Sequence, residues 1–218
     1  YTQSLRRNYP RPPIPVLYDQ GKVMGGGSSI NYQAANRGHP DDYNEWAELG
    51  ASGWGWDDVL PYFKKLEDDA DYGSSAYHGK GGPIPVQRMR REEWCGYTRA
   101  VAAALEKADL PYLEDQNGAF VDGYFCATQN NRNGRRVSAA VAYLTNHVRA
   151  RPNLRILSRS HVLSLIFEGR RVVGAQVQTP SGVETFRAKE VILSAGAVHS
   201  PAMLMRAGLG PAAHLAAM

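Results

Sequence analysis

The sequence predicts an α/β fold, and three observations carry that expectation. Between Asp41 and Val148 apolar residues recur at helical spacing in several blocks. From Asn153 onward the period switches to that of strands. Near the end, Val191-Ile192-Leu193-Ser194-Ala195-Gly196-Ala197 is a continuous apolar run that closes in small residues. Buried parallel strands have this pattern when they deliver a ligand-contacting loop at their carboxyl end.

Taken in order, residues 1 to 20 hold Pro10, Pro12, Pro13 and Pro15 with little periodicity and read as an extended surface arm. A glycine-rich stretch follows, then a turn at Arg37-Gly38-His39-Pro40. Asp41 or Asp42 is expected to cap a helix carrying Tyr43, Trp46, Ala47 and Leu49, ended by Gly50. Asp57 is expected to cap the next, with Val59, Phe63 and Leu66 on one face and Pro61 in the first turn. Its acidic end, Glu67-Asp68-Asp69, opposes the helix dipole and reads as a solvated exit in preference to a metal site. Residues 71 to 83 form a Gly/Ser-rich loop. Tyr97, Val101, Ala104, Leu105 and Ala108 mark an amphipathic helix closed by Pro111. Residues 121 to 129 read as a strand, Asn133-Gly134 as a turn, and Ser138 as the cap of a helix with Val141, Leu144 and Val148 on one face. Short β-rich runs then cover 154–157, 162–167, 172–178, 183–187 and 191–194, before Ser200-Pro201 opens a last helix that ends at Gly208.

Composition narrows the function classes. At 218 residues, 43% hydrophobic and 21% charged, the chain has enough apolar material for a buried core. The net charge of +4 is mild, and acidic and basic residues interleave, as in Arg90-Arg91-Glu92-Glu93, which argues against a nucleic-acid surface. No apolar run approaches the roughly 18 residues of a membrane span. Cys95 and Cys126 lack metal-ligand spacing, and so little cysteine fits a reducing, cytoplasmic setting. The chain opens at Tyr1 without a methionine and stops after a helix-like run, which reads as a segment of a longer protein.

The stretch from Gly21 to Asn36 organises the rest. Gly25-Gly26-Gly27 contributes nothing to helix or strand stability, because glycine loses the most backbone entropy and packs no side chain. Such a run suits a place where another group lies against bare main chain, or where φ must be positive. Ser28, Ser29 and Asn31 add small hydrogen-bonding groups, so a polar, planar or phosphorylated ligand fits; a tight loop packed under a domain is the alternative. A Walker loop would end in Gly-Lys-Ser/Thr, and a dinucleotide fingerprint needs a strand followed by Gly-x-Gly-x-x-Gly. Neither is present here.

Three ordered blocks point further. Gly21-Lys22-Val23-Met24-Gly25-Gly26-Gly27-Ser28-Ser29-Ile30-Asn31 is followed by Arg37-Gly38-His39-Pro40, Asp42-Tyr43, Trp46, Gly53-Trp54 and Val59-Leu60-Pro61-Tyr62-Phe63. Next come Asn133-Gly134-Arg135-Arg136-Val137-Ser138-Ala139-Ala140 and Ala142-Tyr143-Leu144. Last are Ser194-Ala195-Gly196-Ala197-Val198-His199-Ser200-Pro201, Leu204-Met205 and Gly208-Leu209-Gly210-Pro211. Together they resemble the glucose–methanol–choline (GMC) oxidoreductases, FAD-dependent enzymes that oxidise alcohols. Gln20-Gly21, Asn36-Arg37-Gly38, Asp69-Ala70-Asp71-Tyr72-Gly73 and Asp115-Gln116-Asn117 are most similar to members acting on furan and aryl alcohols. Choline-type and aliphatic-alcohol dehydrogenases are the alternative.

The resemblance implies part of a Rossmann-like FAD-binding domain, with 1–70 and 150–218 mainly on the FAD side and 71–149 mainly on the substrate side. It implies oxidation of a primary alcohol to an aldehyde, with oxygen or another electron acceptor. Val23, Gly25 and Gly26 are implied to approach the cofactor, and Asn31, Tyr32, Gln33 and Ala34 to lie along the flavin. Val162 matches the strand residue that meets the adenine, and Ala195 and Gly196 the ribose–pyrophosphate side. Relatives with covalent FAD carry histidine where Ile30 stands, so non-covalent FAD is expected. Tyr32 is also placed in the substrate pocket, where its ring would stack on an aromatic alcohol. Asn31 as a mere helix cap and Tyr32 as a residue packed under the loop are the competing readings.

No histidine is promoted. His39 and His199 lie inside family motifs but not at the position of the catalytic base, and His78, His147, His161 and His214 show no partner pattern. The family's N-terminal dinucleotide fingerprint and its C-terminal histidine, which takes the alcohol proton, do not occur between Tyr1 and Met218. No catalytic residue and no metal is therefore assigned, and the segment alone is expected to be inactive without the remaining parts of the protein. A truncated relative that only binds, with no redox role, is the reading from another class.

Overall fold

The computed structural model describes residues 2–3 and 15–217, with side chains from residue 17 onward. Pro10, Pro12 and Pro13 of the expected arm lie outside the described residues; its ends, Thr2–Gln3 (β1) and Pro15–Val16 (β2), pair antiparallel. The chain divides into two compact units, Tyr1–Arg149 and Ala150–Met218.

In the first unit two helices follow the glycine stretch, Pro40–Glu48 (α1) and Trp56–Leu66 (α2). The cap of α1 is His39, not Asp41 or Asp42. Pro40 takes the first helical position, where a missing N–H costs nothing, and this moves the cap back by one residue. His39 Nδ1 accepts from the Asp41 amide at 3.2 Å, while Asp42 accepts from the His39 amide at 3.2 Å. Helix α2 likewise starts earlier than expected, with Gly55 at the cap and Asp58 accepting from its amide at 3.2 Å. Asp57 is thus inside the helix, and Pro61 falls in the second turn. The two helices share an aromatic cluster: Tyr43 lies 5.3 Å from Trp46, 5.8 Å from Trp56 and 5.7 Å from Phe63 between ring centroids.

Strand Glu67–Asp69 (β3) runs parallel to Ile84–Arg88 (β4), which pairs antiparallel with Thr128–Gln129 (β7). Between them lie helix Gly96–Lys107 (α3), the parallel pair Tyr112–Leu113 (β5) and Tyr124–Phe125 (β6), and a single helical turn, Gln116–Ala119 (α4). The expected strand over 121–129 is thus two short pieces, β6 and β7. Helix α3 forms as its spacing predicts but buries Ala102 against Trp94 and Cys126, while Tyr97 is 80% exposed. Asn131–Arg132 (β8) and Arg135–Arg136 (β9) make a hairpin whose turn residues, Asn133 and Gly134, both have positive φ (52° and 69°). Ser138 caps the next helix as expected, but Ala139–Tyr143 (α5) breaks at Leu144 before Asn146–Arg149 (α6).

The second unit is an antiparallel meander of His161–Glu168 (β10), Arg171–Thr179 (β11) and Gly182–Arg187 (β12), in that order. Helices Gly196–Arg206 (α7) and Ala212–Ala216 (α8) follow. Two expected strands do not form: residues 154–157 and 191–194 are irregular, and Ile192 is 82% exposed. A continuous apolar run signals burial but supplies no ladder partner, and no strand of this unit pairs with either segment. Helix α7 begins at Gly196, so Pro201 lies inside it. Ser200 Oγ instead accepts from the Ala195 amide at 2.8 Å. No helix among the described residues is long and apolar enough to cross a membrane.

Candidate functional site

The glycine stretch is a 3-10 turn over Gly26–Ser29, entered through Gly25 at φ 90° and Gly26 at φ 52°. The glycines fall into two kinds. A Cβ on Gly21 would sit 2.4 Å from the Gly26 carbonyl oxygen, and one on Gly25 would meet Ser29 Oγ at 2.5 Å and Ala140 at 3.2 Å. Those two are demanded by the chain's own packing. A Cβ on Gly26 or Gly27 would meet nothing within 4 Å. The turn is tied down from below: Ser28 Oγ accepts from the Ala139 amide at 2.9 Å, and Ser29 Oγ donates to the Met24 carbonyl at 2.7 Å.

Residues on both sides of the turn are presented outward. Val23 is 56% exposed and Tyr32 92% exposed, and Asn31 is exposed as well. Asn31 caps no helix. Its Oδ1 accepts from the Gln33 amide at 3.1 Å and from Arg136 Nη1 at 2.8 Å, so the amide is oriented by a guanidinium from β9. The Tyr32 ring is not packed under the loop. Gln33 is held at φ 63°, a left-handed conformation rarely taken by a residue with a side chain. Its carbonyl accepts from the Asn130 amide at 2.8 Å, Ala34 bridges to Gln129, and the Ala35 amide donates to the Thr128 carbonyl at 2.9 Å. The structure therefore brings Val23, Gly25, Gly26, Asn31, Tyr32, Gln33 and Ala34 onto one short, braced ribbon.

The three remaining residues lie in the second unit. Val162 is half-buried in β10 opposite Val177, and Ala195 and Gly196 form the exposed start of α7, with Gly196 at φ 88° and open space where its Cβ would be. Of the three glycines matched to a cofactor, Gly26 and Gly196 leave open space where a Cβ would be, and Gly25 does not. An exposed backbone with vacant Cβ positions, beside uncovered apolar and amide side chains, fits a flat, partly polar group laid against it.

Beneath the ribbon is a charge cluster that sequence reasoning missed. The acidic end of α2 is not a solvated exit: Glu67 and Asp69 are 4% and 2% exposed, because the chain passes straight from the helix into β3. His78, far from lacking partners, is 1% exposed and bonded by three carboxylates. Its Nδ1 lies 2.7 Å from Glu67 and 2.9 Å from Asp69, and its Nε2 lies 2.7 Å from Asp115. Arg37 pairs with Glu67 at 2.6 Å, and Arg88 with Asp69 at 2.9 Å and Asp115 at 2.8 Å. Both imidazole nitrogens face only acceptors, so both must carry protons. Burial pulls the His78 pKa down, but the bonds to Asp115, Asp69 and Glu67 outweigh it and push it up to about 10. Burial raises the carboxylates, and the same bonds with the arginines bring Glu67, Asp69 and Asp115 below their ordinary range. Glu67, Asp69 and His78 are spaced closely enough for a cation, yet an imidazolium and two guanidiniums already neutralise them. The available signal was Asp115-Gln116-Asn117, whose aspartate accepts from the amide two residues on, as an N-cap does.

Comparison with known proteins identifies the family. Residues 14–217 match the family model described as GMC oxidoreductase. The chain is 48% identical to 5-(hydroxymethyl)furfural oxidase of Methylovorus sp. (strain MP688), over 94% of its own length and 38% of the relative's. It is 40% identical to oxygen-dependent choline dehydrogenase of Brucella anthropi, over 94% of its length and 37% of the relative's. The crystal structure of pyridoxine 4-oxidase from Mesorbium loti superposes with a TM-score of 0.84 at 40% identity, covering 91% of this chain and 39% of that one. The chain thus spans less than two fifths of the length of these relatives. A matched family model over nearly the whole sequence, on a fold that superposes this well, establishes that the chain belongs to the GMC oxidoreductase family.

Proposed function

We propose that this chain forms part of an FAD-dependent alcohol oxidoreductase that converts a primary alcohol, of the furanic or aryl class, to its aldehyde. The observation that carries the reading is the braced, outward-facing ribbon Val23–Ala34, with uncrowded Cβ positions at its turn. When bound, FAD supplies the hydride acceptor. This chain's residues bind and orient: Gly26 offers main chain with open space at its Cβ position, Gly25 and Val23 approach the cofactor beside it, and Asn31, Gln33 and Ala34 lie along the flavin. Arg136 fixes the Asn31 amide and places positive charge beside it, which favours a group that gains negative charge. In the second unit Val162 contacts the adenine, and Ala195 and Gly196 admit the ribose–pyrophosphate side. Residues 1–70 and 150–218 serve mainly the cofactor, and 71–149 mainly the substrate. No residue of this chain is assigned as the proton acceptor.

A visible spectrum of the full-length protein, then an alcohol panel with and without oxygen, tests the proposal. Turnover of choline or simple aliphatic alcohols over furanic and aryl ones would reassign the substrate class; a colourless protein would end the reading. With Ile30 in place of a nucleophile, FAD should be released on acid precipitation. Yellow protein pellets would contradict that.

Tyr32 sets substrate preference in this proposal. Its exposed ring stacks on an aromatic alcohol, a contact of about 0.5–1.5 kcal/mol. Tyr32→Ala should lower kcat/KM for a furanic or benzylic alcohol about 3- to 10-fold, with short aliphatic alcohols nearly unchanged. Equal losses for both classes would remove Tyr32 from the pocket.

A further inference from the structure

We infer that Asn117 is a positioning residue for the flavin-side ribbon, holding Gln33 in its left-handed conformation through a bracket around residue 36; this rests on the FAD reading above. Asn117 is 2% exposed and reaches across 80 residues of sequence. Its Nδ2 donates to the Ala35 carbonyl at 2.7 Å, and its Oδ1 accepts from the Arg37 amide at 3.0 Å. One side-chain amide therefore satisfies both a donor and an acceptor of the ribbon, as a neighbouring strand would.

The bracket is anchored by a closed circuit. The Asn117 amide N–H donates to Asp115 Oδ1 at 3.1 Å, and Asp115 Oδ2 accepts from His78 Nε2 at 2.7 Å. His78 Nδ1 donates to Glu67 Oε1 at 2.7 Å, and Glu67 Oε2 forms an ion pair with Arg37 Nη2 at 2.6 Å. The circuit closes at Arg37, whose amide donates to Asn117 and whose guanidinium pairs with Glu67. Two residues upstream of Ala35 sits Gln33 at φ 63°. A non-glycine residue stays in that region only where its surroundings over-determine it. On one side Gln33 is held by Asn31 Oδ1 and the Asn130 amide, and on the other by the bracket at Ala35 and Arg37. Removing the bracket lets Gln33 relax toward ordinary backbone and turns Asn31–Ala34 away from the position proposed for flavin contact.

The test uses the full-length holoenzyme and compares Asn117→Ala in two backgrounds, wild type and Gln33→Gly. Glycine adopts left-handed backbone without strain, so the bracket has less to enforce there. In the wild-type background the variant should raise the FAD Kd about 10-fold, as loss of a buried hydrogen-bonding pair does, and alter the visible circular dichroism of the flavin. In the Gln33→Gly background the further rise should stay below about 3-fold, since coupled neighbours are not additive. Asn117→Ser, which keeps one polar group, provides the same comparison if the alanine variant does not fold. A lower melting temperature with unchanged flavin affinity and dichroism overturns the inference, as do equal losses in the two backgrounds. A wild-type protein that takes up no flavin overturns the FAD reading itself, and this inference with it.

Discussion

Replacing His78 with alanine should destabilise the full-length protein by about 3–5 kcal/mol, measured by thermal or denaturant unfolding. The side chain is inaccessible to solvent, and its imidazolium stands between Glu67, Asp69 and Asp115. Arg37 and Arg88 remain to balance those three carboxylates, while the fourth, Asp71, is one-third exposed and partly solvated. Removing the cation leaves a buried negative charge unpaired, and that penalty exceeds the modest net worth of the intact pairs. The pH dependence has a definite sign. The His78 pKa rises from 6.5 to about 10 on folding, so its stabilisation is complete below about pH 6.5 and declines as pH rises toward 10. The carboxylates are shifted down, so their contribution is present above about pH 4.5 and is lost as acid protonates them. The groups facing the ring are these carboxylates, Arg88, and Tyr72, whose ring centroid lies 5.9 Å away. Wild-type stability should therefore fall between pH 7 and 10, and His78→Ala should flatten that slope. A variant that loses less than about 1 kcal/mol, or keeps the slope, would show that the cluster is hydrated.

The second large effect separates two neighbouring glycines. Gly25→Ala should cost about 2–4 kcal/mol of stability, combining a left-handed backbone with overpacking against Ser29 and Ala140. Gly26→Ala should cost only about 1–2 kcal/mol, because its φ of 52° is unfavourable for alanine but no chain atom lies within 4 Å. Flavin affinity should reverse the order once folded protein alone is compared. Gly26→Ala adds a methyl on the open side of the turn, where the cofactor is proposed to approach, and should raise the FAD Kd by at least about 10-fold. Flavin titration of the full-length variants, alongside their unfolding curves, reads both quantities. If Gly26→Ala binds FAD as wild type does, the turn's open side does not face the cofactor.

Much of this was legible from local chemistry. Helices α1, α2 and α3 follow apolar spacing, the Asn133-Gly134 turn follows residue type, and β10 to β12 follow alternation. Each depends on residues within a few positions of one another. The family could be named because three motifs occur in a fixed order. Helix starts were displaced where a proline changed which residue is able to cap, as at His39.

What the sequence by itself determined, then, was the α/β class, most of the elements and the glycine ribbon that carries the family motif. Tertiary structure alone decided the state of Glu67, Asp69 and His78, which read as a wet helix end and an unpartnered histidine. It also decided that Asn117 grips Ala35 and Arg37, and that 191–194 finds no ladder partner. The reason is one of range. Backbone propensity and capping act over a turn or two of chain, whereas the charge of a buried group is set by whichever distant side chains close around it and exclude water.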